Sequence, residues 1–101
     1  MSMFMTGPDI KAQYAPAHAD VREHPNAEAM WATKSHEAAT GMPHNARTAA
    51  GGAETLKENI AREGVKEPVI LGGNQILSGH HRVAAAAEVN PKMVIPVWHM
   101  D

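Results

Sequence analysis

Apolar side chains in the middle of the chain recur at helical spacing. One apolar stripe, opposite charged positions, predicts a helix over about residues 27–39. Asn26 precedes this helix and can accept hydrogen bonds from the free amides of its first turn. A second helix is predicted over about residues 53–63, because Leu56 and Ile60 lie four residues apart and a glycine follows the last turn.

The pattern changes to short apolar runs after the second helix. Residues 68–71 are predicted to form a buried strand, residues 72–74 a tight turn, and residues 75–77 the returning strand of a hairpin. A third helix is predicted to begin at Gly79 or His80 and to continue through a run of alanines. The small alanine side chains would allow this helix to pack closely on a sheet.

The last apolar run, residues 93–98, predicts a closing strand. Pro96 has no amide proton to donate, so this strand is expected to lie at a sheet edge or to contain a bulge. Helices and short strands that alternate in this way indicate a small α/β (α+β) domain, in which helices pack on a short mixed sheet.

The rest of the chain shows no sustained period. Residues 1–25 alternate glycine, proline, alanine and single charges, which predicts an extended or partly disordered arm with no regular element. Residues 41–52 are predicted to form a loop. The single domain is thus expected to comprise an arm (1–25), a helix plus loop (26–52) and an α/β core (53–101).

The composition allows only a small core. The chain has 101 residues, of which 44% are hydrophobic, and much of that content is alanine. A pairing surface on a second subunit would complete such a core, so a homodimer is one expected state. Trp31 and Trp98 are expected to be core or interface anchors rather than platforms for stacked bases, because few basic residues lie near them.

Several classes of site are excluded by residue content. Cysteine is absent, which excludes disulfides, thiolate metal sites and cysteine nucleophiles. The formal net charge is -2 and no basic arm is present, so any contact with DNA has to be local. The apolar start, residues 1–5, is too short for a membrane span and lacks the positive flank of a signal peptide, which predicts a cytoplasmic protein without a membrane partner. Five histidines match no metal-ligand spacing, so no metal site is expected from them; they are His18, His24, His36, His44 and His99.

The segment from Gly79 to Arg82 is the candidate site. A glycine between a strand and a helix permits close backbone approach, and the free amides of the first helical turn can donate to an anion. Arg82 can add a charge-assisted fork, and the two histidines add donors whose charge depends on pH. A phosphate-binding site is therefore predicted at Gly79, His80, His81 and Arg82. The alternative is that the histidines only begin a surface helix and that Arg82 pairs with Glu88 or with solvent.

Three segments resemble a known superfamily. Residues 56–70 and 78–86 resemble the two ParB boxes, and residues 94–97 resemble the usual closing strand, in the order and spacing of the ParB/sulfiredoxin-like superfamily. The second box is Gly-Glu-Arg-Arg followed by alanines, where this chain has Gly-His-His-Arg. The resemblance implies a ParB/sulfiredoxin-like fold, binding of CTP or ATP with magnesium, and a role in DNA-linked processes. A small stand-alone member of this kind would suit an accessory protein of a phage or mobile element.

The chain also departs from that superfamily. His80 occupies the position of the catalytic cysteine of sulfiredoxins, so sulfiredoxin activity is excluded. Glu67 stands where the family usually has glutamine, and Leu71 stands where ParB proteins often have arginine. Each change removes a side-chain hydrogen-bond donor that could contact a triphosphate. ParB proteins also read DNA through a helix-turn-helix region, and this sequence shows no recognition-helix pattern.

Three functions follow as hypotheses. The first is a ParB-like module that binds the phosphate of a nucleotide or of DNA and is a binding protein rather than an enzyme. The second is a protein-interaction factor that kept the fold without nucleotide activity. The absence of the Glu and of one Arg of the second box favours this hypothesis. The third is a small NTP-dependent kinase, NTPase or nuclease, in which Glu67 would be the general base. A nuclease would need clustered carboxylates around a metal, whereas Glu63, Glu67 and Glu88 are spaced as solvated residues.

Overall fold

The computed structural model describes residues 2–40 and 54–100. They form a mixed five-stranded sheet with helices on one face, which confirms the predicted α/β (α+β) class. The elements in chain order are β1 (Ser2–Thr6), α1 (Gly7–Gln13), β2 (Ala15–Pro16), α2 (His18–Val21), α3 (Ala27–Thr40), α4 (Leu56–Glu63), β3 (Val69–Gly72), β4 (Gln75–Ser78), α5 (His80–Val89) and β5 (Val94–Met100). Within these described ranges, no helix is both long and apolar enough to cross a membrane.

The sheet combines strands from both ends of the chain. Its order is β1-β5-β3-β4-β2. β1 is antiparallel to β5 and β3 is antiparallel to β4, whereas β3 runs parallel to β5 and β2 runs parallel to β4. The N-terminal segment therefore supplies both edge strands, and the C-terminal half supplies the three strands between them.

The core lies between the sheet and a layer of helices centred on α5. This helix contacts α1, α3, α4 and β3. Its buried alanines at positions 84–86 allow the neighbouring helices to approach closely. A Cβ on Gly7 of α1 would lie 2.9 Å from the Cβ of Ala87, so the packing requires glycine there. The strands contribute fully buried aliphatic side chains, each worth about 1.5–3 kcal/mol. They are Val69, Leu71, Ile76, Ile95 and Val97.

Local sequence signals account for the starts of two helices. Asn26 Oδ1 accepts a hydrogen bond from the Ala29 amide at 2.8 Å, as predicted for the cap of α3. Thr55 and Glu58 form a capping box at α4, in which each side chain accepts a hydrogen bond from the other residue's amide. These bonds satisfy amides that have no partner within the helix.

The elements predicted for the middle and the second half of the chain are confirmed. The helix expected over 27–39 spans Ala27–Thr40, and the helix expected over 53–63 spans Leu56–Glu63. The predicted hairpin, third helix and closing strand are β3, β4, α5 and β5. The predicted loop at 41–52 lies outside the described residues.

The prediction that residues 1–25 lack regular elements is wrong. They contain β1, α1, β2 and α2. Thr6 Oγ1 accepts a hydrogen bond from the Asp9 amide at 3.3 Å, and Pro8 lies in the first turn of α1, as is common at helix starts. β1 has no comparable local signal, because it forms by pairing with β5 from the other end of the chain. The spacing of apolar residues within one segment gives no information about pairing with a strand that is distant in sequence.

Neither of the two settings expected for Pro96, a sheet edge or a bulge, is found in the described sheet, because its strand is not at an edge and its pairing with β1 is continuous. Pro96 belongs to β5, which lies between β1 and β3. The ladder between β5 and β3 begins at Val97, one residue after the proline. The missing amide therefore falls where β1 alone lies alongside, with Phe4 opposite.

The two tryptophans have different environments. Trp31 is buried in the core, and its ring centroid lies 5.8 Å from that of His80. Trp98 is 47% exposed on β5. Trp31 is thus a core anchor, as expected, and Trp98 lies on the sheet surface.

Candidate functional site

An open cleft of about 760 Å³ lies where the N-terminal end of α5 meets α4. One wall is formed by α4 and the segment that follows it, and the opposite wall includes Asp20 and Lys34 from α2 and α3. All four residues of the predicted phosphate site line the cleft. The fold thus brings the predicted site to a concave surface.

Gly79 determines how α5 begins. It precedes the helix with a φ of 105°, in the left-handed region that favours glycine. A Cβ at this position would lie 3.0 Å from Val69 Cγ2 and 3.1 Å from Arg82 Nη1, so the space is also tight for a side chain. No side chain in the described part of the chain caps the first turn, and Val83 donates the first helical hydrogen bond, to the Gly79 carbonyl. The amides of residues 80–82 are therefore left as anion donors beside the cleft.

Arg82 is held at the rim of the cleft by the segment that leads into β3. Its Nη1 donates to the Pro68 carbonyl at 3.1 Å, and its Nη2 donates to Glu67 Oε2 at 3.0 Å. The Glu67 side chain is 75% exposed, whereas that of Arg82 is 26% exposed. An ion pair with so exposed a carboxylate contributes only about 0–1 kcal/mol. The hydrogen bond to the Pro68 carbonyl therefore orients Arg82, and the ion pair with Glu67 adds little stability.

His81 forms a close pair with Glu37 of α3. The distance from His81 Nε2 to Glu37 Oε1 is 2.8 Å, and both side chains are mostly buried. A carboxylate can only accept, so in this pair Nε2 carries a proton and donates it to Glu37. The side chain of His81 is thus oriented by a negative charge.

The side chain of His80 is buried, with 5% of its area exposed. Its Nε2 accepts a hydrogen bond from the Ala17 amide at 3.1 Å, which requires an unprotonated Nε2. Burial lowers the pKa of His80; Asp20, whose Oδ2 lies 3.8 Å from Nδ1, opposes that shift, and Lys34 adds to it. The ring therefore links α5 to the N-terminal segment, and the group that His80 offers an anion is its backbone amide.

Charges of both signs surround the cleft. Within the described residues, its lining includes four basic side chains (Lys34, Arg62, Lys66 and Arg82) and four acidic ones (Asp20, Glu54, Glu63 and Glu67). Lys34 Nζ lies 3.1 Å from Asp20 Oδ1, and two nitrogens of Arg62 each lie 2.8 Å from an oxygen of Glu54. The hydrogen bond from Arg62 lowers the pKa of Glu54 and raises that of Arg62. Because these charges nearly cancel, attraction of an anion has to come from the helix end and from Arg82.

The remaining sequence candidates lie apart from one another. Glu88, the alternative partner considered for Arg82, instead accepts from Lys57 Nζ at 2.5 Å. His99 Nε2 lies 3.0 Å from the Gly73 carbonyl, at the hairpin turn. Among residues 2–40 and 54–100, no group of three or more histidine, aspartate or glutamate side chains is placed to hold a metal ion.

Sequence reasoning missed several residues of the site. Asp20 and Lys34 line the cleft, and Glu37 orients His81. All three lie on α2 and α3; α2 packs on α3 and α3 packs on α5, and both are tertiary contacts. Helical spacing could place Lys34 and Glu37 on a polar face, but no sequence signal joins that face to the glycine turn.

Comparisons of the chain with protein-family models, with curated proteins and with solved structures find no match.

Proposed function

We propose that this protein is a phosphate-binding module that holds a nucleotide in the cleft at the N-terminal end of α5. One observation carries the proposal. Residues 80–82, whose amides have no partner within the helix, line the cleft together with Gly79, and the carboxylate partner of Arg82, Glu67, is 75% exposed. Donors from a helix end and a neighbouring guanidinium are the groups that phosphate oxygens accept from.

On binding, a phosphate group would replace the Glu67 carboxylate as the partner of Arg82. Phosphate oxygens accept from the amides of residues 80–82 and from Arg82 Nη2, and Glu67 turns away into solvent. The exposed ion pair that is lost contributes about 0–1 kcal/mol. A charge-assisted hydrogen bond to phosphate contributes roughly 1.5–3 kcal/mol, so the exchange is favourable. Arg82 Nη1 keeps its bond to the Pro68 carbonyl, which preserves the orientation of the guanidinium.

A nucleotide fits the site better than duplex DNA does. The cleft volume of about 760 Å³ lies within the range of small-ligand sites, roughly 300–1,000 Å³. The balanced charges around it do not form the basic track that a DNA backbone requires. The resemblance to the ParB/sulfiredoxin-like superfamily favours CTP or ATP with magnesium as the ligand, in the cytoplasm and in a DNA-linked process.

A protein-interaction factor without nucleotide activity is the second candidate. The observation that favours it is that the side chains of the site already have hydrogen-bond partners within the chain. His80 accepts from Ala17, His81 pairs with Glu37, and Arg82 pairs with Glu67. Under this hypothesis the cleft binds no nucleotide, and substitution of Arg82 leaves the protein's activity unchanged.

Calorimetric titration separates the two candidates. The protein is titrated with CTP, ATP and GTP in the presence of magnesium, and with a short DNA duplex. We expect saturable binding of at least one nucleotide, and a roughly 10- to 100-fold weaker affinity in Arg82→Ala, which corresponds to about 1.4–2.8 kcal/mol. Arg22→Ala is the matched control, because Arg22 is exposed and lies outside the cleft lining. Absence of heat with every nucleotide, or equal weakening in both variants, would overturn the proposal.

A further inference from the structure

The face of the sheet opposite the helices is apolar over β1, β5 and β3. Alternate residues of β5 point to this side, and they are Val94, Pro96, Trp98 and Met100. In the register of β1, Phe4 lies opposite Pro96, and in that of β3, Ile70 lies opposite Trp98. We call this set of outward positions on β1, β3 and β5 the outer face.

The outer face departs from the usual pattern of a sheet with one covered side. Such sheets normally alternate apolar residues toward the core with polar residues toward water. Here Phe4 is 70% exposed, and Val94, Trp98 and Met100 are 59%, 47% and 54% exposed. None of the described outward positions on these three strands carries a charge, and the polar one is Thr6, at the end of β1.

Leu77 of β4 extends the apolar surface. It is 46% exposed, and its Cδ1 would lie 2.6 Å from a Cβ on Gly72. The glycine thus leaves room for Leu77 to lie against β3. The apolar surface therefore continues from β1 across β5 and β3 to the flank of β4.

We infer that the outer face is the interface of a homodimer, in which the sheets of two copies pack face to face. A two-fold interface uses the same patch on both copies, so the patch must complement itself. An uncharged apolar face meets this condition, because no like charges are brought together. Two sheets stacked in this way bury their facing side chains between layers about 10 Å apart.

The exposed area reaches the minimum that a specific dimer interface requires. With ~200 Å² for each large aromatic side chain and somewhat less for each aliphatic one, the five exposed residues present roughly 500 Å². This is roughly a tenth of the 5775 Å² surface of the chain, the share that a specific interface usually covers. Two copies would bury about 1,000 Å² in total, the lower bound for a specific interface.

Sedimentation equilibrium of the full chain, without nucleotide, tests the inference. We expect wild type to reach twice the chain mass of 10.8 kDa as concentration rises. Trp98→Lys and Phe4→Lys should each shift the mass to 10.8 kDa, because each would bury a charged lysine without a partner in an apolar interface. Ala39→Lys is the matched control, since Ala39 is exposed on α3, and it should dimerise like wild type.

Circular dichroism shows whether each variant is folded, and the use of two substitutions keeps the test valid if one variant unfolds. A wild-type mass of 10.8 kDa at every concentration would overturn the inference. So would dimers that persist in both folded lysine variants. If wild type is a monomer, co-sedimentation with phosphatidylcholine vesicles would assign the outer face to a lipid surface instead. The outcome does not depend on the proposed nucleotide site, because no nucleotide is present.

Discussion

At the scale of the residue, His80 makes the stability of the fold depend on pH. The folded protein holds the ring neutral, since Nε2 accepts from the Ala17 amide, and burial lowers its pKa below the ordinary 6.5. The unfolded chain binds this proton more readily than the folded chain, so the contribution of His80 is complete above about pH 6.5 and falls as pH decreases toward the folded pKa. The loss is about 1.4 kcal/mol for each unit by which folding lowers the pKa.

Urea unfolding between about pH 8 and about pH 5 measures this effect. His80→Gln, whose side-chain oxygen can accept from Ala17 and does not titrate, should lose less stability than wild type as pH falls. His36→Gln removes an exposed histidine and should follow the wild-type profile. Parallel profiles for wild type and His80→Gln would contradict the role given to His80.

Glu67 and Arg82 allow a second test at the same scale. Glu67→Gln removes the negative charge that competes with phosphate for Arg82, so nucleotide affinity should rise severalfold. The free energy of unfolding should change by less than about 1 kcal/mol, because the pair is exposed. Titration calorimetry and urea unfolding measure the two quantities.

The same variant tests the enzyme hypothesis. If Glu67 were the general base of an NTPase or kinase, Glu67→Gln would abolish release or transfer of phosphate. A wild-type protein that turns over nucleotide, together with an inactive Glu67→Gln, would therefore replace binding with catalysis as the function.

At the scale of the element, the start of α5 depends on Gly79. Gly79→Ala forces a side chain into a φ of 105° and within 3.0 Å of Val69 Cγ2. We expect a loss of roughly 1–3 kcal/mol in the free energy of unfolding, together with weaker nucleotide binding as Arg82 is displaced.

Gly73→Ala is the matched control for that substitution. Gly73 also has a positive φ, 59°, but a Cβ there would meet nothing within 4 Å. Its cost should therefore be limited to the backbone strain, about 1–2 kcal/mol, with nucleotide affinity unchanged. Equal effects of the two substitutions on binding would show that the turn at Gly79 does not shape the site.

The elements that sequence could predict are those with their own local signals. α3 and α4 have apolar stripes with side-chain caps at Asn26 and Thr55, and β3 and β4 are joined by a glycine turn. β1 and β2 are stabilised by pairing with β5 and β4, which are distant in sequence, so no local pattern marks them. The same reason applies to Pro96. A proline favours an edge strand, but the pairing of β1 with β5 places β5 inside the sheet.

The site could be predicted only in part, for a related reason. Gly79 and Arg82 lie within one turn of helix, so their proximity follows from the sequence. The partners of these residues come from elsewhere: Glu67 precedes β3, and Glu37 and Ala17 belong to the N-terminal part of the chain. The buried setting of His80 depends on that segment and could not be inferred from the tetrapeptide.

At the scale of the whole molecule, we expect residues 1–25 to be required for folding. They supply both edge strands and the amide that donates to His80. A chain shortened to residues 26–101 should therefore lose the cooperative urea transition, and a synthetic peptide of residues 1–25 added to it should restore the transition. Unchanged cooperative unfolding of the shortened chain, followed by circular dichroism, would contradict this prediction.

A nuclear magnetic resonance titration of the ¹⁵N-labelled protein with CTP or ATP in magnesium detects phosphate binding at the end of α5 residue by residue. The proposed site predicts saturable shifts that are largest at the amides of residues 80–82 and at the Arg82 side chain. In Arg82→Ala these shifts should saturate only at a roughly 10- to 100-fold higher nucleotide concentration, and in Arg22→Ala they should match wild type. Absence of saturable shifts at residues 80–82, or shifts confined to the outer face, would contradict phosphate binding at the end of α5.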